Sequence, residues 1–269
     1  MRSDIFYVDS FASTPFTGNP TPVCYTNTGL QPETMQSIAA ELNLPVTAFI
    51  TKRNQQAGEY DIHYFTAIAE IPACGHATLA SARIAMMYDK TDKVIFHTAE
   101  GLAIAAIAKE DVIMMSYPRY EWRSTTVDKE TLASLGISTY RSAAFSPELE
   151  TLFIELESAD QVRKIQPDFP RLTKSSNTIM EVVITAASDD PKYDYLLRSF
   201  CPWIGIDEDP VTGSVHSVLG AFWQQRFNKT DLRAWQASAR GGELRINAFE
   251  DRTEIGGATT IILKGEINY

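Results

Sequence analysis

The sequence predicts a two-lobed α/β fold, and three observations point to it. Short β-branched and aromatic runs alternate irregularly with apolar helical segments along the 269 residues. That alternation softens once, after Pro118. A glycine turn that opens an apolar helix occurs twice, at Gly75 and at Gly213, 138 positions apart.

Taken in order, strands are predicted at Ile5 to Val8, Thr47 to Thr51, Asp61 to Phe65, Lys93 to His97 and Val112 to Ser116. Between them, Pro32 to Leu42 sets Met35, Ile38, Ala39 and Leu42 at helical spacing, and Gly75 to Met87 reads as an Ala-rich helix buried on most sides. The segment Tyr120 to Thr126 carries no clear period. It is the expected boundary, giving lobes at 1–118 and 119–269, with the last strand a candidate to return to the N-terminal lobe. Beyond it, strands are predicted at Thr151 to Leu156, Thr178 to Thr185 and Tyr193 to Phe200. A second apolar helix is expected at Ser214 to Phe227, then strands at Asp231 to Ala237, Glu243 to Ala248 and Thr259 to Lys264, with Gly241-Gly242 and Gly256-Gly257 at turns.

Composition narrows the partners. A formal net charge of −10 argues against nucleic acid and against an anionic membrane surface, both of which need a basic footprint. No apolar run approaches the roughly 20 residues of a membrane span, and the N-terminus shows no signal-peptide pattern, so a cytoplasmic protein is expected. The three cysteines, Cys24, Cys74 and Cys201, form no CxxC pair. Reduced thiols are expected, with neither a disulfide nor a metal site. There is no GxGxxG or P-loop, so nothing supports a nucleotide cofactor.

The two glycine turns are the candidate site. Cys74-Gly75-His76-Ala77 corresponds to Thr212-Gly213-Ser214-Val215, and an acid stands four positions before each, Glu70 and Glu208. A glycine at a helix start relaxes the backbone, and the first-turn N–H groups there favour an anion. Two such ends facing one cleft would hold a small carboxylate without net positive charge. Either glycine also reads simply as a tight strand-to-helix turn. His76, at a helix start, is expected to be a neutral imidazole able to relay a proton, while His63 and His97, in strand patterns, read as packed, hydrogen-bonded core residues. Asp209 precedes Pro210 and the Gly213 turn; it reads either as a capping carboxylate or as the partner of His76 in acid/base work. Cys74 reads as a small buried residue or as an activated thiol.

The segments Asp9-Ser10-Phe11, Pro15-Phe16-Thr17-Gly18-Asn19-Pro20, Asn43-Leu44-Pro45, Ala73-Cys74-Gly75-His76-Ala77-Thr78, Glu208-Asp209-Pro210-Val211-Thr212-Gly213-Ser214 and Arg240-Gly241-Gly242 together resemble the PhzF-like phenazine-biosynthesis family. The resemblance implies a diaminopimelate epimerase-like fold of two pseudo-symmetric lobes, each a mixed sheet around a central helix, commonly as a homodimer. It implies cofactor-independent isomerisation of a small carboxylate-bearing substrate. His76 and Asp209 would transfer protons, and Asn19, Gly75, Gly213 and Ser214 would bind the substrate. One departure is chemical. The family's principal acid/base glutamate falls at Val46, and a group worth roughly 10²- to 10⁴-fold in rate is missing there. Asp209, His76, Cys74 and, more remotely, Glu70 are the replacements within reach of the sequence, and a noncatalytic carboxylate binder is the alternative.

Overall fold

The computed structural model describes residues 2–53 and 58–269. It divides into two compact units, unit 1 (Met1–Tyr117 and Ile255–Tyr269) and unit 2 (Pro118–Glu254).

Unit 1 contains β1 (Arg2–Ser10), β2 (Asn19–Thr26), α1 (Pro32–Leu42), β3 (Thr47–Lys52), β4 (Glu59–Phe65), β5 (Glu70–Ile71), α2 (Gly75–Asp89), β6 (Lys93–Thr98), β7 (Ala103–Lys109) and β8 (Val112–Pro118). The sheet is mixed. β1–β2, β3–β4, β6–β7 and β7–β8 are antiparallel, whereas β2–β3 and β4–β6 are parallel. α2 packs against β1, β2, β3 and β6, so the sheet curls around it. That explains why Ala77 to Ala82 and Ile84 to Met86 are all buried: a helix enclosed by a sheet has little polar face to offer. α1 covers the other face, burying Met35, Ile38 and Ala39 with Cys24, Phe49 and Phe65.

Unit 2 repeats the plan. It contains β9 (Arg123–Ser124), α3 (Lys129–Leu135), β10 (Ser142–Ser146), β11 (Thr151–Glu155), α4 (Ala159–Lys164), α5 (Phe169–Ser175), β12 (Glu181–Ala187), β13 (Tyr195–Phe200), a 3-10 turn (Pro202–Ile204), α6 (His216–Phe227), β14 (Asp231–Gln236) and β15 (Gly242–Ala248). β10–β11, β12–β13 and β14–β15 are antiparallel, and β11–β12 and β13–β14 are parallel. Starting from β1 in one unit and β10 in the other, the sequence of antiparallel and parallel pairings is the same. α6 is the central helix here, buried from His216 to Trp223. α3, α4 and α5 cover the opposite face over Leu152, Ile154, Val182, Ile184 and Leu196.

The chain closes with β16 (Arg252–Gly257) and β17 (Thr259–Asn268), the latter pairing antiparallel with β1 and packing on α2. Gly256 and Gly257 therefore end a strand instead of forming the expected turn. Gly256 is where another backbone passes: a Cβ there would sit 2.0 Å from the Ile113 carbonyl oxygen. No helix among the described residues is long and apolar enough to cross a membrane.

Candidate functional site

In unit 1 the candidate residues lie at the start of β2 and of α2. Ser10 ends β1 and pairs with Asn19, the first residue of β2. The eight-residue loop between them closes because Gly18 adopts φ +69° where a Cβ would lie 2.1 Å from the Ser10 carbonyl oxygen. Phe16 is also left-handed (φ +70°), and its N–H donates to Asp9 Oδ2 at 2.8 Å. Asn19, fully buried, is thereby aimed at α2, where its Nδ2 lies 3.2 Å from His76 Nδ1. The Ser10 hydroxyl donates to the His76 carbonyl at 2.7 Å, so two strands hold the helix start. An amide NH₂ only donates, so the contact with Asn19 makes Nδ1 the acceptor and places the ring proton on Nε2.

His76 is neutral, as expected, but for a different reason. Although part of its surface stays accessible, burial of the ring pushes it down to about 4, and desolvation, not the helix dipole, is the cause. Cys74 is partly exposed, with Sγ 3.5 and 3.4 Å from His76 Nδ1 and Nε2, so the reading of a buried apolar residue does not hold. Thr78 N–H makes the first helical bond, to the Cys74 carbonyl at 2.9 Å, leaving the Gly75, His76 and Ala77 N–H groups outside the helical ladder. Val46 is buried. Continuing the register that sets Val23 opposite Ala48, it falls level with Thr21, two residues along β2 from Asn19. Glu70 is exposed and bonds His63 Nδ1 at 2.8 Å, which ties it up at the surface. His63 and His97, in contact with Glu70 and Glu59, are partly exposed partners of carboxylates and not core residues.

In unit 2 the candidate residues lie in the segment between β13 and α6. Of its three acids, Glu208 forms a two-pronged ion pair with Arg198 at 2.8 and 2.9 Å, and Asp207 is exposed. Asp209 is held from several sides. Its N–H donates to the Ser199 carbonyl at 3.1 Å, and its Oδ2 accepts the Thr212 hydroxyl at 2.5 Å. The buried Gln236 at the end of β14 closes the loop: Oε1 accepts the Thr212 N–H and Nε2 donates to the Asp209 carbonyl, both at 2.8 Å. The Ser238 hydroxyl adds a bond to the Pro210 carbonyl at 2.6 Å.

α6 begins three residues later than the repeat suggests. The Gly213 carbonyl accepts from His216 N–H at 3.1 Å in a 3-10 turn, and regular helix starts at His216. Gly213 is buried and Ser214 exposed, and their N–H groups precede the ladder as those of Gly75 and His76 do. Among the described residues neither Gly75 nor Gly213 has a positive φ, so left-handed backbone is not what selects glycine at either turn. His216 points inward, with Tyr195 Oη 2.6 Å from Nδ1, and burial pushes it down to about 3.

Four contributors lie outside the predicted set: Gln236, Ser238, Ser199 and Glu181. The Glu181 carboxyl accepts from the Ser199 hydroxyl and, at 3.2 Å, from Thr151. Burial pushes it up to about 7, and the Asp209 charge acts in the same direction. The one signal in the sequence was an acid heading the otherwise apolar run Glu181-Val182-Val183-Ile184. No cluster of three or more His, Cys, Asp or Glu side chains among the described residues is arranged to hold a metal ion.

The ordered segments Asp9 to Asn19, Cys74 to Thr78 and Glu208 to Ser214 are spread over most of the chain, and the family model described as phenazine biosynthesis-like protein matches residues 8–265. The chain belongs to that family. It is 34% identical over 286 residues to a phenazine biosynthesis-like domain-containing protein of Rattus norvegicus, covering 98% of this chain and 99% of the relative. It is also 34% identical over 271 residues to a Halalkalibacterium halodurans protein named an uncharacterized isomerase, covering 99% of both. A crystal structure of an Enterococcus faecalis protein of the PhzF family aligns over 100% of both chains with a TM-score of 0.92 at 34% identity.

Proposed function

We propose that this protein is a cofactor-independent isomerase that removes and returns a proton on a small carboxylate-bearing metabolite. The observation that carries the reading is Asp209: a carboxylate with one oxygen fixed by the Thr212 hydroxyl, on a loop locked by Gln236, is a base with a defined direction. His76 is a neutral imidazole with its tautomer set by Asn19, suited to handing on a proton. Asn19, Gly75, Gly213 and Ser214 are the substrate-binding residues of the proposal, those of the two helix starts offering N–H groups outside the helical ladders to receive a carboxylate. Shifting a proton next to a carboxylate requires acid and base groups and an anion holder, and these residues are of that kind. The name of the Halalkalibacterium halodurans relative is in keeping with it. A cytoplasmic homodimer is part of the same proposal.

A second reading, a carboxylate binder without turnover, is favoured by one feature, the buried apolar Val46. Incubation with a panel of small cyclic and amino carboxylates in D₂O separates the two. Deuterium entering substrate carbon, and lost in Asp209→Asn, is the result expected of the isomerase. Thermal stabilisation by a carboxylate without any incorporation overturns that reading in favour of the binder.

A further inference from the structure

Because the two units repeat one pattern of strand pairing, their registers can be compared position by position. In unit 1 Ala48 pairs with Tyr64 and Lys52 with Tyr60; in unit 2 Val183 pairs with Ser199 and Ala187 with Tyr195. Tyr60 and Tyr195, both fully buried, thus occupy the same place. The same alignment matches Val46 with Glu181. At this position the two halves differ by a carboxyl.

The face it occupies is set by strand alternation. Thr185 Oγ1 accepts from Trp223 Nε1 of α6 at 3.1 Å, so Thr185, Val183 and Glu181 lie on the side of β12 that faces the central helix. Ser199, paired with Val183, is on that side too; it donates its hydroxyl to Glu181 and offers its carbonyl to the Asp209 N–H. One residue therefore joins the Glu181 carboxyl to the backbone that carries Asp209. We infer that Glu181 is a positioning residue for Asp209, joined to its backbone through Ser199 and setting the charge beside that base. This rests on the isomerase reading of Asp209.

The titratable groups around Glu181 are Asp209, from the loop after β13, and Cys201, whose thiol is pushed up by burial and by both carboxylates, with Asp207 acting on Cys201 from the same loop. Its remaining partners are the Thr151 and Ser199 hydroxyls. With Glu181 near 7, a neutral carboxylic acid faces Asp209 on the acid side. Ionisation above that pH sets a second negative charge against Asp209 and strengthens its hold on a proton.

The experiment has two arms on the full chain. In ¹³C-carboxyl NMR of glutamate-labelled protein, one resonance with a midpoint near 7 is expected, absent in Glu181→Gln and moved to lower pH in Asp209→Asn. In D₂O, the exchange rate of an accepted carboxylate is expected to rise through an inflection near that pH in the wild type and to lose the inflection in Glu181→Gln. Absence of a glutamate carboxyl titrating near neutrality, a midpoint indifferent to Asp209→Asn, or an inflection kept by Glu181→Gln each overturns the inference. If no carboxylate exchanges at any pH, the isomerase reading falls separately, and the titration alone decides whether Glu181 and Asp209 are coupled.

Discussion

The Thr212 hydroxyl donates to Asp209 Oδ2 at 2.5 Å, and its direction is imposed by Gln236. The Gln236 carboxamide has one orientation that works, since flipping it would set its NH₂ against the Thr212 N–H and its oxygen against the Asp209 carbonyl. With Nε2 also 3.4 Å from Thr212 Oγ1, that hydroxyl receives a donor and has its own proton left for Asp209. Gln236→Leu strands a buried N–H and a carbonyl at once. The expected cost is about 1–3 kcal/mol, read from the urea midpoint, together with loss of most deuterium exchange. Thr212→Val, which keeps the N–H bond to Gln236, is expected to lower exchange about tenfold while unfolding close to the wild type.

How much of this was legible is decided by how local each feature is. α1 matches its expected limits, Pro32 to Leu42, because apolar spacing and Pro32 are local signals. β2 is hidden in the sequence: Pro20 and Pro22 interrupt the run, yet they sit where only β1 is paired, before β3 joins at Val23. β7 carries no strand signal because its Ala-rich sequence has weak strand preference and is ordered by β6 and β8. Asp209, Thr212 and Gly213 are close in sequence and could be named together. Gln236 and Glu181 come to Asp209 through the β13–β14 and β12–β13 pairings, which no window of sequence contains.

Stability should depend on pH with opposing contributions, from the buried rings of His76 and His216 on one side and from Glu181 on the other. Burial holds His76 at about 4 against 6.5 unfolded, so the unfolded chain binds more protons between those values. Its contribution is complete above 6.5 and is lost as pH falls toward 4. Glu181 moves the other way, from 4.5 to about 7, so its contribution is complete below 4.5 and is lost as pH rises through 7. Urea midpoints measured from pH 4 to 8 are expected to fall less steeply on acidification in His76→Asn, and to decline less between 4.5 and 7 in Glu181→Gln. An acid limb unchanged in His76→Asn would show that the ring titrates near its unfolded value.

Gly18→Ala tests the loop that aims Asn19. A methyl group 2.1 Å from the Ser10 carbonyl oxygen, on a residue held at φ +69°, forces the turn open. A loss of about 1–3 kcal/mol is expected, with a fall of several degrees in Tm. The His76 ring resonances should move with it, because Asn19 Nδ2 leaves Nδ1.

Native thiol labelling separates the three cysteines. Cys24 is buried and pushed up to about 12, and Cys201 is buried and also pushed up, whereas Cys74 is partly exposed beside the His76 ring. Iodoacetamide at neutral pH is expected to add one group, at Cys74, with none on Cys74→Ser. Equal labelling of all three would mean that the native packing around Cys24 and Cys201 opens on the time scale of the reaction.

Val46→Glu asks whether the site can use a base at the position where the family resemblance places one. Val46 is 5% exposed, level with Thr21 and near Asn19, whose strand leads to His76. Exchanging a packed isopropyl group for a carboxyl there removes apolar contacts and desolvates a polar group, at an expected cost of about 1–3 kcal/mol in the urea midpoint. That same desolvation favours the protonated form, so the gain should appear toward alkaline pH. Deuterium exchange on an accepted carboxylate is expected to rise about 10²-fold over the wild type. A stably folded Val46→Glu protein with no increase at any pH would mean that a carboxyl at this position does not reach the reacting carbon.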